Sequence, residues 1–174
     1  RNPLLYKKIG ADGIKTGFLE VEKYSLAASM LSGERRLTSV SSGFKTKNSR
    51  SRESIRLLNW GLRKFDTVKV AIKNEPFANL KVWLGKKNEV QAVINKNIYL
   101  TVPKRMKKTV KAVIEYNGPI EAPIMKGDII GTLNVYLNNE LTETVDLLSN
   151  EDVKRSNIFS RLFRSFNYLV WGDV

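Results

Sequence analysis

The sequence contains no cysteine and no histidine among its 174 residues. Without cysteine there is no disulfide scaffold and no thiol nucleophile, and without histidine there is no Cys/His zinc site and no histidine-based triad. No run of residues approaches the roughly 18 apolar positions that a membrane-spanning helix needs. The sequence therefore predicts no metal, no cofactor and no helix that crosses a membrane.

The composition is that of a folded chain with a strong excess of positive charge. Hydrophobic residues make up 42% and charged residues 27%, and the formal net charge is +13. A nucleic-acid-binding protein is an alternative that rests on this charge alone. Because the basic residues are spread along the chain, without aromatic interleaving or a recognisable motif, we expect no nucleic-acid partner. Attraction to an anionic lipid or cell-wall surface explains the charge as well.

Three segments with different patterns divide the chain. Residues 1–66 contain two strand-like runs, Tyr24–Leu31 and Leu37–Ser42, before a helical pattern with Asn48 or Ser49 as candidate N-caps. The apolar residues of that pattern recur at helical spacing and are Ile55, Leu58, Leu62 and Phe65. Strands that pack against a helix predict part of a mixed α/β layer.

Residues 67–149 are a succession of short β-rich runs separated by turn residues. Gly85, Pro103, the Asn117-Gly118-Pro119 sequence and the Asn138-Asn139 pair are among the separators. About seven short strands at this spacing are typical of a small all-β sandwich or barrel. The sequence therefore predicts an α+β, multidomain chain whose second domain is all β.

Residues 150–174 have the pattern of an amphipathic helix. The apolar positions fall within a single arc of about 140° and are Ile158, Phe159, Leu162, Phe163, Phe166, Leu169 and Val170. Such an aromatic helix is typical of one that lies on a membrane surface. A C-terminal helix docked on its own domain is the alternative, and the pattern alone does not separate the two.

The segment that most directly indicates a chemical function is Lys15-Thr16-Gly17. A lysine supplies a fixed positive charge for a carboxylate, and a threonine hydroxyl can donate a hydrogen bond to it. Glycine lets a substrate backbone approach a strand closely. Lys-Thr-Gly on a strand is one of three motifs of the penicillin-recognising serine enzymes.

The surrounding motifs extend this match along the whole chain. Besides Asp12–Phe18, the motifs are Tyr24–Ser29, Ser49-Arg50, Leu57–Gly61, Val82–Lys87, Tyr99–Pro103, Ala122–Ile124 and Gly131–Leu133. In this order and spacing they closely resemble the low-molecular-weight penicillin-binding proteins, the serine-type D-alanyl-D-alanine carboxypeptidases. The resemblance implies part of a penicillin-binding α/β domain in residues 1–66, a β domain in 67–149 and an amphipathic membrane anchor in 150–174.

The resemblance also implies roles for single residues. Lys15 and Thr16 would bind the carboxylate of a peptidoglycan pentapeptide or of a β-lactam. The strand past Gly17 would pair with the substrate backbone, and the Phe18 N–H would donate to the oxyanion. Arg50 would help to hold the carboxylate of the terminal D-Ala. The family usually has threonine where this chain has Leu19.

The nucleophile of the family is the serine of a Ser-x-x-Lys motif upstream of Lys-Thr-Gly, and a Ser-x-Asn motif also precedes it. None of the fourteen residues before Lys15 is a serine. Ser42–Lys45 and Ser165–Asn167 match these motifs by letters, but both follow Lys15 and lie in the wrong kinds of element. We therefore expect no catalytic residue in this chain and no activity of the chain alone. It begins with Arg1 and not methionine, as expected of a fragment.

The resemblance implies a location at the periplasmic face of the bacterial inner membrane, as a peripheral protein of cell-wall synthesis. The resemblance thus implies peptidoglycan, β-lactams and an anionic membrane surface as partners. The alternative from a different class is a non-catalytic module, or an inactive remnant, that binds at the membrane surface near the cell wall.

Overall fold

The structure is a computed structural model and describes residues 1–157. It divides into two units. The first comprises residues 1–67 and 101–105, and the second comprises residues 68–100 and the described residues from 106 onward. The expected amphipathic helix, with Ile158 and the other apolar positions up to Val170, lies outside the described residues.

The first unit is a three-stranded antiparallel sheet with one long helix. A short 3-10 helix, Pro3–Tyr6, precedes the sheet. Its strands are β1 (Ala11–Leu19), β2 (Lys23–Ser32) and β3 (Arg35–Phe44), in the order β1-β2-β3, and they are followed by α1 (Lys47–Lys64). The helix packs on β2 and β3, so β1 is an edge strand of this sheet.

The core of the first unit lies between α1 and the sheet. Its fully buried apolar residues are Leu4, Leu26, Ala28, Met30 and Leu58. Leu26, Ala28 and Met30 stand at every second position of β2 and therefore share the face that packs on this core. Gly61 is buried in α1, and a Cβ there would lie 2.5 Å from the Leu37 side chain of β3. The glycine therefore allows the close approach of helix and sheet.

The start of α1 differs from the sequence prediction. Thr46 is the N-cap, whereas the sequence pointed to Asn48 or Ser49. The Thr46 hydroxyl accepts a hydrogen bond from the Ser49 N–H at 3.0 Å, and the Ser49 hydroxyl accepts one from the Thr46 N–H at 3.1 Å. This reciprocal pair satisfies two amide donors at the helix start. Serine is a common N-cap residue, but Ser49 is the third residue of the helix and not its cap.

The second unit is built from β strands. The strands that follow α1 are β4 (Phe65–Ala71), β5 (Ala78–Trp83), β6 (Glu89–Val93), β7 (Ile98–Pro103), β8 (Val110–Glu115), β9 (Ile120–Glu121), β10 (Ile129–Leu137) and β11 (Glu140–Ser149). Six of them form a sheet in the order β8-β10-β11-β6-β5-β9, and β4 pairs with β7. The division between the units falls within β4 and at β7.

A tight hairpin joins the two longest strands of the second unit. Asn138 and Asn139 both have positive φ, 52° and 67°, as a two-residue hairpin turn requires. The buried apolar residues of the second unit form one cluster, made of Ala71, Leu80, Val82, Val90, Ala92, Ile94, Ile98, Ala122, Ile124, Ile130, Leu133, Val135, Val145, Leu147 and Val153. The described chain is therefore mostly β sheet, as the sequence predicted for its larger segment.

Thr46→Ala is expected to lower the free energy of unfolding by about 1 kcal/mol, because the Ser49 N–H loses its acceptor. Asn48→Ala is the matched control: Asn48 is exposed and is not the cap, so its loss is expected to change stability by less than about 0.5 kcal/mol. Urea denaturation followed by far-ultraviolet circular dichroism measures both. A larger loss for Asn48→Ala than for Thr46→Ala would contradict the assignment of the cap.

Candidate functional site

The Lys-Thr-Gly motif lies in the middle of β1, the edge strand of the first sheet. A hairpin turn joins β1 to β2, and residues equally far from Val21 on either side face each other. Gly17 is thus opposite Ser25, and Phe18 is opposite Tyr24. Sequence patterns alone had not identified β1 as a strand; only the motif pointed to it.

Lys15, Thr16 and Gly17 line one groove of about 380 Å³. We call it the lysine groove, and the residues of β2 and β3 that complete it are Ser25, Leu26, Ala27, Val40, Ser41 and Ser42. It is open to solvent, since Lys15 is exposed and Val40 is 79% exposed. A groove lined by one lysine and several hydroxyl-bearing residues has the chemistry to bind a carboxylate.

Gly17 is required by a close approach within the groove. A Cβ at this position would lie 2.4 Å from the Ser25 Oγ, well inside van der Waals contact. Any other residue would therefore displace Ser25 or push β1 away from β2. The sequence analysis did not identify Ser25 as a site residue. Pairing the strand-like run that begins at Tyr24 with the Lys-Thr-Gly motif as a hairpin would have placed Ser25 opposite Gly17.

Phe18 and Arg50 belong to a second cluster, which is not part of the lining of the lysine groove. The rings of Phe18 and Tyr24 lie 4.8 Å apart, and the Arg50 guanidinium lies 5.7 Å from the centre of the Tyr24 ring. Tyr24 therefore connects the two predicted residues, and the sequence analysis had assigned it no role in the site.

Arg50 itself is unusual because it is buried. It is 8% exposed, and its Nε has no hydrogen-bond partner among the described residues. A buried donor without an acceptor is costly, so this guanidinium has capacity for an additional acceptor. The contact with the Tyr24 ring offsets part of that cost.

One polar network joins all three strands at the start of β1. The Arg36 side chain of β3 donates hydrogen bonds to Asp12 of β1 at 2.8 Å and to the Ser29 hydroxyl of β2 at 2.6 Å. The hydrogen bond from Arg36 holds the pKa of Asp12 below its usual value of 3.8. This network ties the edge strand to the rest of the sheet.

No group of three acidic side chains that could hold a metal ion occurs in residues 1–157. Within the same range, no helix is both long and apolar enough to cross a membrane.

Comparison with known proteins adds a family assignment to this geometry. The family model described as penicillin-binding protein 5, C-terminal domain, matches residues 65–155. The chain is 34% identical over 164 residues to the D-alanyl-D-alanine carboxypeptidase DacA of Escherichia coli K12, and 36% identical over 165 residues to its DacC. These matches cover 93% and 94% of the chain and 41% of each relative, so the chain spans about two fifths of the relatives' length.

Solved structures agree with these relatives. Penicillin binding protein 5 from Haemophilus influenzae superposes with a TM-score of 0.72 and 33% identity, over 88% of this chain and 46% of that one. The D-alanyl-D-alanine carboxypeptidase DacD from Francisella tularensis gives a TM-score of 0.63 and 31% identity, over 90% of this chain and 39% of that one.

Asp12→Asn is expected to lower the urea midpoint at neutral pH, because Arg36 loses its carboxylate partner. Since the folded state favours the ionised form, the contribution of Asp12 is present above pH 3.8 and is lost as pH falls through the lowered pKa. The difference between wild type and variant should therefore shrink below pH 3.8. Glu20→Gln removes one carboxylate at an exposed turn position and is the matched control for the change in charge. A constant difference down to the acid transition would contradict the role of the ion pair.

Proposed function

The chain belongs to the low-molecular-weight penicillin-binding proteins, and on that premise we propose that it is part of a serine-type D-alanyl-D-alanine carboxypeptidase. Such an enzyme removes the terminal D-Ala from peptidoglycan pentapeptides through an acyl-serine intermediate. Relatives named as D-alanyl-D-alanine carboxypeptidases match more than nine tenths of the chain and support this proposal. The nucleophile would come from residues that precede Lys15 in the longer enzyme.

The lysine groove carries the proposal. Lys15 and Thr16 would bind the carboxylate of the substrate or of a β-lactam through the ammonium group and the hydroxyl. One edge of β1 pairs with no strand in residues 1–157, and this supports a further role, because a peptide can add to an exposed strand through backbone hydrogen bonds. In that arrangement Gly17 leaves room for the substrate, and the Phe18 N–H donates to the oxyanion.

Arg50 would contribute to recognition of the terminal D-Ala carboxylate. Its unpartnered Nε and its contact with Tyr24 support this role, because an ordered guanidinium with a free donor loses little freedom when it binds an acceptor. Leu19 stands where the family usually has threonine, so the finer contacts with the substrate would differ from those of the family.

We further propose that the enzyme acts at the periplasmic face of the inner membrane. The amphipathic pattern from Ile158 to Val170 supports attachment as a peripheral protein, and the net charge of +13 favours an anionic surface. The second unit would then lie between this anchor and the carboxypeptidase domain in the order of the chain.

The proposal predicts which protein a fluorescent penicillin labels. The longer gene product, with the coding region upstream of Arg1, should show a labelled band on a denaturing gel, because it contains the serine that is acylated. The 174-residue chain should show none. A covalent adduct on the 174-residue chain, or no labelling of the longer product, would contradict the proposal.

The role of Lys15 has its own test in the longer gene product. Lys15→Ala should slow labelling about tenfold or more, because a charge-assisted contact with the penicillin carboxylate is lost. Lys45→Ala is the matched control, since Lys45 is also exposed but does not line the lysine groove. Equal rates for the two variants would show that Lys15 does not bind the carboxylate.

A further inference from the structure

A second pocket of about 470 Å³ lies in the first unit, where α1 ends and β4 begins. It shares no lining residue with the lysine groove. Two short stretches of the sequence build it: the last turn of α1 with the start of β4, and the end of β7 with the residues that follow it. We call it the basic pocket.

Four cationic side chains line the basic pocket, and its lining includes no acidic residue. They are Arg63, Lys64, Lys104 and Arg105. In residues 1–157 none of the four forms an ion pair. The C-terminus of α1 contributes a partial negative charge of about half a unit, which four full positive charges outweigh. The pocket is therefore a concentrated positive site without an internal counter-charge.

An apolar platform lies among these charges. Trp60 is 49% exposed although its indole packs edge-on against the Phe65 ring, with the ring centres 5.0 Å apart. The backbone of Phe65 is held by a hydrogen bond, which its carbonyl accepts from the Arg35 side chain at 2.7 Å. Pro103 completes the apolar lining. An aromatic surface that remains half exposed is available to pack against a ligand.

From this combination we propose that the basic pocket binds a sugar ring that carries a phosphate or carboxylate group. The flat indole suits the C–H face of a pyranose ring, and arginine and lysine side chains bind the anion through charge-assisted hydrogen bonds. A purely apolar ligand would leave four charges without partners. The choice of a sugar over a nucleotide rests on the proposed function, which places the protein beside cell-wall glycans.

The binding test uses the full 174-residue chain and the tryptophan indole and backbone amide signals in nuclear magnetic resonance spectra. Glucose 6-phosphate is the probe, and glucose and inorganic phosphate are its two separate halves. We expect glucose 6-phosphate to shift the Trp60 indole signal and to bind at least about fivefold more tightly than either half. Added salt should weaken this binding, because the anion contact is exposed to screening.

Variants separate the two parts of the site. Lys104→Gln combined with Arg105→Gln should weaken binding of glucose 6-phosphate about tenfold. Lys45→Gln combined with Lys47→Gln is the matched control: it removes the same charge outside the pocket and should leave the binding of glucose 6-phosphate unchanged. Trp60→Leu should remove the advantage of glucose 6-phosphate over inorganic phosphate. Unchanged amide signals of β2 and β3 would show that each variant is folded.

Three results would overturn the proposal. Inorganic phosphate binding as tightly as glucose 6-phosphate would reduce the pocket to a simple anion site. Tighter binding of adenosine monophosphate than of glucose 6-phosphate would favour a nucleotide as the ligand. Equal effects of the two double variants would show that glucose 6-phosphate does not bind in the basic pocket. None of these results depends on penicillin labelling of the longer gene product, so failure here and failure of the proposed function are distinguishable.

Discussion

The pairing of β1 with β2 is the constraint on which the candidate site depends. A shift of the register by one residue would move Lys15, Thr16 and Gly17 away from the β2 residues that complete the lysine groove. Three contacts fix the register: the close approach of Gly17 to Ser25, the packing of Phe18 on Tyr24, and the ion pair between Asp12 and Arg36. Because an edge strand is hydrogen-bonded to a neighbour on one side only, these side-chain contacts help to hold β1 in place.

Part of this arrangement could be predicted from the sequence. The apolar spacing of α1 and the turn pair Asn138-Asn139 are local signals, and the structure has a helix and a hairpin there. The N-cap was assigned to the wrong residue, because several residues in that stretch are chemically able to cap and only the backbone shows that Thr46 is the extended one. The strand β1 was recognised through its motif, since its polar and glycine-rich sequence has no clear alternation.

The contacts that the sequence could not show are those between distant residues. Tyr24 connects Phe18 with Arg50, and nothing in the local sequence of any of the three indicates this contact. The basic pocket is a stronger example. Trp60, Arg63, Lys64 and Phe65 lie within six residues of one another in the sequence, but only folding adds Lys104 and Arg105 from the end of β7 to the same pocket. Charge that is dispersed in sequence becomes concentrated in space.

The proposed role of the lysine groove is to bind the carboxylate of a substrate or of a penicillin. A crystal structure of the longer gene product acylated by a penicillin tests it most directly. We expect the penicillin carboxylate to lie within hydrogen-bond distance of the Thr16 hydroxyl and to face the Lys15 ammonium group, with β1 in the register described above. A carboxylate bound away from both side chains would contradict it.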